Sequence, residues 1–143
     1  MKQILIFGAG SIGNHMANAA LKIKCNVFVT DINSAALQRM KDSIFPLRYG
    51  KWNKNITLLN YDKVFLSKFK YDLIVIGTPP NTHSKLFEQI KNRLKFKKIL
   101  VEKPISNYLD KKANNLLLSY NRIHQNIYCG YNHSVNKSFK FFY

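Results

Sequence analysis

Three glycines restrict this chain more than any other feature. Lys2–Phe7 reads as a short apolar strand, and directly behind it stand Gly8, Gly10 and Gly13, spaced G-x-G-x-x-G. A helical pattern follows over Asn14–Lys24, with Ile12, Met16, Ala19, Ala20 and Ile23 along one side. In such a strand–turn–helix unit the first glycine permits a tight turn. The second lets the backbone approach a pyrophosphate, and the third lets helix and strand pack closely. The helix N-terminus then offers unpaired N–H groups and a partial positive charge to an anion.

The same alternation runs through the rest of the chain. Asn26–Thr30 reads as a second strand closed by Asp31, and Asn33 or Ser34 can cap a helix carrying Leu37 and Met40. Phe45–Asn55, with Pro46, Gly50 and Trp52, has no clear period and reads as a loop. Ile56–Leu59 is a third strand, Tyr61–Lys68 a short helix or turn, and Asp72–Ile76 a fourth strand. "GTPPNTH", Gly77–His83, is a proline-stiffened turn in which Thr82 can cap a helix over Ser84–Leu94. Lys98–Val101 is a fifth strand ending in Glu102-Lys103-Pro104, where a cis Lys103–Pro104 bond is expected. Asn107, with Asp110 in the capping-box place, opens a helix to about Arg122, and Asn126–Cys129 is the sixth strand. Strands alternating with helices imply an α/β fold. The expected form is a doubly wound parallel sheet of the Rossmann type, about six strands in a single domain.

Composition narrows the class. With 143 residues the chain can bury one core. No stretch approaches the ~20 apolar residues of a membrane span, and Ile4–Phe7 is too short for a signal-peptide core, so a cytoplasmic protein is expected. Cys25 and Cys129 read as buried thiols, and no metal site is expected. The formal net charge of +16 draws attention to nucleic acid. The excess, however, is nearly all lysine and is spread along the whole chain. It reads as a compositional bias rather than a binding face. The densest cluster, Lys91–Lys98, straddles an expected helix end, where cations are favoured anyway.

In a doubly wound sheet, ligands bind outside the carboxyl ends of the strands. Asp31 stands 23 residues after Gly8, at the end of the second strand. Its carboxylate can accept hydrogen bonds from ribose hydroxyls and would repel a 2′-phosphate, which favours NAD over NADP. Ser11 and Ile12 within the glycine turn, and Ile32 beside Asp31, belong to the same cofactor site.

The order G-x-G-x-x-G, T-P-P-N-T-H, E-K-P and then "GYN" after the sixth strand resembles the Gfo/Idh/MocA oxidoreductase family. The likeness spans the whole chain but only that family's amino-terminal domain. "LRYGKW", Leu47–Trp52, is similar to a loop of some sugar-modifying members. The resemblance implies an NAD(P)-dependent oxidoreductase acting on CH–OH groups, moving a hydride to or from a sugar or polyol carbon. It implies that Thr78, Pro79, Asn81 and His83 line the nicotinamide-ribose side of a crevice. Lys103 would then stand beside the nicotinamide as the catalytic residue, with Glu102 orienting it. A lysine suits that place because it can hydrogen-bond the substrate oxygen and exchange a proton with it.

The chain also departs from the family pattern. Residues 1–130 are expected to form the dinucleotide-binding domain, and 131–143 to begin the connection to a substrate domain absent from this chain. An isolated chain of this kind is expected to be inactive on sugar. Many members carry an arginine shortly after "GYN", whereas this chain reads Asn132, His133, Ser134. Two other readings stay open. One is a stand-alone nucleotide-binding module whose apolar tail, Phe139–Tyr143, is covered by a partner chain; the other is a basic protein associated with nucleic acid.

Overall fold

The central strand, β1 (Gln3–Phe7), explains its own sequence. Ile4 and Ile6 point to one face of the sheet, among Ala17, Val27, Val29, Met40 and Phe45. Leu5 and Phe7 point to the other, among Ile74, Ile76, Phe87, Ile90 and Ile99. Both faces are covered, so the strand is an unbroken apolar run. The structure, a computed structural model, describes residues 1–105 and 111–130. The expected cap at Asn107 with Asp110, the segment 131–143, His133 and the apolar tail lie outside the described residues.

Six parallel strands form the sheet, in the order β3-β2-β1-β4-β5-β6. The others are β2 (Asn26–Asp31), β3 (Ile56–Asn60), β4 (Lys70–Ile76), β5 (Lys95–Val101) and β6 (Ile127–Cys129). Helices α1 (Ser11–Lys22), α2 (Ser34–Arg39) and α3 (Phe45–Tyr49) cover one face. On the other lie α4 (Tyr61–Val64), α5 (His83–Arg93) and α6 (Lys111–His124). Chain order reverses between β1 and β4, and there a ligand crevice is expected at the carboxyl ends of the strands.

Local chemistry fits most boundaries. Asn33 caps α2 by accepting from the Ala35 N–H (3.0 Å), and Asn60 caps α4. The Lys103–Pro104 bond is cis. Three expectations need correction. Phe45–Tyr49 is helical rather than a loop, joined to α2 by a π-helical turn over Met40–Ile44. That wider turn alters the helical register just before Pro46, which has no N–H to bond, and Phe45 is buried in the core. Strand β5 begins at Lys95 rather than Lys98, because Lys70 of β4 is already in register with Lys95, directly after the end of α5 at Arg93. Thr82 does not cap α5; its hydroxyl donates to the Pro79 carbonyl (2.7 Å) and meets the Thr78 hydroxyl (2.7 Å).

Asp72 of β4 ties three strands together. Its carboxylate accepts from the Gln3 N–H of β1 (2.9 Å) and from Lys97 Nζ of β5 (2.6 Å). The Lys97 hydrogen bond, and after it the Gln3 amide, holds the Asp72 carboxyl below the usual carboxylate range.

Helix α1 crosses so close behind the turn after β1 that a Cβ on Gly13 would lie 1.9 Å from the Gly8 carbonyl oxygen. Neither partner can yield, since both belong to the backbone. Gly13→Ala is therefore expected to lower unfolding stability by about 3 kcal/mol, the upper end of overpacking costs, as measured by urea denaturation. A loss below about 1 kcal/mol would mean that the helix can back away.

Candidate functional site

The turn after β1 and the turn after β4 touch. Gly8 has φ +104°, and a Cβ there would lie 2.8 Å from the Gly77 carbonyl oxygen. The backbone continues the contact, with the Gly77 N–H donating to Phe7 (2.9 Å) and the Gly8 N–H to Thr30 (2.8 Å). At Gly10 a Cβ would meet nothing within 4 Å, so its backbone faces open space. Each of the three motif glycines thus has a different physical reason.

Two polar side chains fix the direction of this turn's peptide groups. Asp31 Oδ2 accepts from the Ala9 N–H (2.8 Å), and Oδ1 accepts from the Asn33 N–H (2.8 Å). Asn14, fully buried, donates through Nδ2 to the carbonyls of Ala9 (3.0 Å) and Gly10 (2.8 Å). With these carbonyls turned inward, the leading N–H groups of α1, at Ser11, Ile12 and Gly13, have no helical acceptor. No side chain caps the helix, and its first turn contains no acidic residue. The result is a preformed anion cradle at a helix N-terminus.

Beside the cradle lies a cavity of about 700 Å³. Gly8, Gly10, Asp31, Ile32, Thr78, Pro79 and Asn81 border it, all named from the sequence. Ser11, Ile12, Gly13, His83, Glu102 and Lys103 are not in its lining. Gly13 is buried under the turn, and Ile12 packs towards Gly77. His83 lies beneath the crevice, fully buried, with Nε2 against the Thr78 carbonyl (2.7 Å) and Nδ1 against the Ile105 carbonyl (3.1 Å). Both ring nitrogens face backbone carbonyls, which only accept, so a neutral ring donates to one of them, and the side chain lies under the turn, outside the cavity lining.

Glu102 and Lys103 sit at the carboxyl end of β5. Glu102 is buried, and its Oε2 accepts from the Lys103 N–H (3.2 Å). Gly130 makes room for this carboxylate, since a Cβ there would lie 2.8 Å from Glu102 Oε1. Burial, and then the Glu102 charge, pushes the neighbouring Cys129 thiol up. The Lys103 side chain is exposed. Among the described residues, no group of three His, Cys, Asp or Glu could hold a metal ion, and no helix is long and apolar enough to cross a membrane.

Sequence reasoning missed several residues here. Tyr61, Lys85, Leu86 and Gln89 border the cavity, and the Tyr61 hydroxyl donates to Gln89 Oε1 (3.1 Å). Burial, and then Asp62, raises the Tyr61 phenol. A usable signal existed: Tyr61 directly follows β3, and Lys85 and Gln89 are four apart on the helix after the proline turn. Asn14 carried no such signal, because an asparagine in a helix's first turn is ordinary. Asn14→Ala should strand the Ala9 carbonyl, while the Gly10 carbonyl keeps the backbone N–H of residue 14 (3.0 Å), and lower unfolding stability by about 1–3 kcal/mol in chemical denaturation. Unchanged stability would show that water replaces the side chain.

Comparison with known proteins follows the same lines. No curated protein matches the chain. Among solved structures it is similar to scyllo-inositol dehydrogenase from Lactobacillus casei, with 23% identity and a TM-score of 0.71. The match covers 99% of this chain and 39% of that one. A myo-inositol dehydrogenase from Corynebacterium glutamicum gives 25% identity, a TM-score of 0.70 and the same coverage. The WlbA dehydrogenase from Bordetella pertussis, in complex with NADH and UDP-GlcNAcA, gives 14% identity and a TM-score of 0.69, covering 99% of this chain and 40% of that one. The chain thus spans about two fifths of the length of these structures. The model of the Gfo/Idh/MocA oxidoreductase family, NAD-binding Rossmann fold, matches residues 2–122, and the chain belongs to that family.

Proposed function

We propose that this chain binds NAD through the glycine-rich turn and Asp31. In this reading it forms the dinucleotide half of an oxidoreductase acting on a sugar or polyol. One observation carries the reading: an uncapped helix N-terminus, with its turn carbonyls held inward by Asn14, opens beside a cavity bordered by Asp31. The first amides of α1 receive the diphosphate, and Gly10 lets it approach. Asp31 keeps lone pairs beyond its two backbone bonds, which can accept from ribose hydroxyls. Thr78, Pro79 and Asn81 border the second ribose, and His83 supports them from below.

The nicotinamide, when bound, supplies the group that gives or takes a hydride. Lys103 hydrogen-bonds the reacting substrate oxygen and exchanges its proton. Glu102 fixes the Lys103 turn through the backbone N–H. Residues 1–130 make up the dinucleotide-binding domain, and 131–143 lead towards a substrate domain. The names of the inositol dehydrogenases and the sugar nucleotide held by the Bordetella protein support a sugar or polyol substrate. Such a chain works in the cytoplasm, beside its cofactor pool.

Two measurements test this. In calorimetric titration NADH should bind more tightly than NADPH. Asp31→Ser should weaken NADH by about tenfold and narrow the gap, because it removes ribose hydrogen bonds and the repulsion of a 2′-phosphate together. Equal binding of both cofactors by the unmodified chain would remove Asp31 as selector. Alone, the 143 residues should bind NADH without oxidising or reducing sugars. Holding a sugar carbon against the nicotinamide can supply roughly 7–11 kcal/mol of the barrier, and the chain spans about two fifths of the length of the dehydrogenases it matches. Fused to a relative's substrate domain, Lys103→Met should lower hydride transfer by about 10²–10⁴-fold with NADH affinity preserved. Full activity in that variant would clear Lys103 of a catalytic role.

A further inference from the structure

We propose that Arg48 of α3 is a diphosphate-binding residue of the dinucleotide site, supplied from outside the glycine-rich turn. The inference rests on the dinucleotide reading above and adds a contact that the G-x-G-x-x-G motif does not contain. Arg48 Nη1 donates to Ser11 Oγ (2.8 Å), and Ser11 is the first residue of α1. The next residue, Tyr49, hydrogen-bonds through its hydroxyl to the His15 ring, one turn further along α1. Two consecutive side chains of α3 therefore grip the first two turns of α1. Helix α3 is anchored from below by buried Phe45, whose ring packs edge-on against Tyr49 and Trp52. It stops at Gly50, with φ +88°. The guanidinium is thus held beside the anion cradle by a fixed element.

Charge points the same way. Arg48 lies in the last turn of α3, where a cation suits that helix, but its guanidinium meets the N-terminus of α1, where a cation is disfavoured. The first turn of α1 offers no acid to offset it, and the ion pair found among the described residues joins Lys97 to Asp72. A guanidinium has five donors in a planar fork, and one of them is committed to Ser11. A diphosphate on the α1 amides would reverse the sign of this local conflict, attracted at once by helix and arginine.

The test titrates the full chain with NADH, ADP-ribose and adenosine, at low and at moderate salt. Arg48→Met should weaken NADH and ADP-ribose by about tenfold and leave adenosine, which has no phosphate, within about twofold. The salt dependence of ADP-ribose binding should become shallower, and Arg48→Lys should recover part of the loss. Arg48→Gln, which keeps a donor for Ser11 without the charge, should show the same split and serves if the methionine variant does not fold. If the variants bind NADH within about twofold of the unmodified chain, or lose adenosine equally, Arg48 is only a brace between helices and the dinucleotide reading still stands. Failure of the unmodified chain to bind NADH at all would overturn both.

Discussion

The approach of helix α1 to the carbonyl of Gly8 is the constraint on which the site depends. At Gly13 there is no space for even one carbon atom. That closeness brings the α1 amides to the exit of β1, and the exit of β1 lies against that of β4 through Gly8 and Gly77. Because the sheet reverses its order between these two strands, the meeting point is also the mouth of the crevice. The position of the cradle thus follows from one steric fact, and Asn14 and Asp31 set the direction of its peptide groups.

Burial explains where polarity is tolerated. Asn14 gives both amide hydrogens to carbonyls of the turn, while its Oδ1, like the hydroxyl oxygen of Thr30, has no partner among protein atoms. Unpaired buried acceptors cost free energy, and folds retain few of them. Both lie close to the glycine-rich turn, Asn14 in α1 and Thr30 at the cavity wall. Glu102 follows the same logic. Its buried carboxylate is accommodated because Gly130 has no side chain and the Lys103 N–H points at it.

Legibility in the sequence depended on how far each signal reached along the chain. The unbroken apolar run of β1 and the glycine spacing are local, and with Asp31 and the proline turn they pointed to the sheet and to seven of the fifteen residues that border the cavity. Thr82 looked like a cap because threonine before a helix often is one. Its hydroxyl found the Pro79 carbonyl three residues back instead. Helix α3 was hidden by Pro46, since a proline in an irregular stretch reads as a breaker, and a π-helical turn has no sequence signature. Tyr61 and Gln89 meet across 28 residues, and Asp31 reaches Ala9 across 22. Pairings at that distance are set by the fold, not by neighbours.

His83 joins two loops that issue from different strands. One nitrogen faces the carbonyl of Thr78, after β4, and the other faces the carbonyl of Ile105, after the Glu102–Pro104 turn of β5; a neutral ring donates to one of the two. An imidazole is a rigid plane, so the wall bordering the cavity and the turn that carries Lys103 pack on the two edges of one buried ring, and neither loop can be repositioned without that ring losing a polar neighbour.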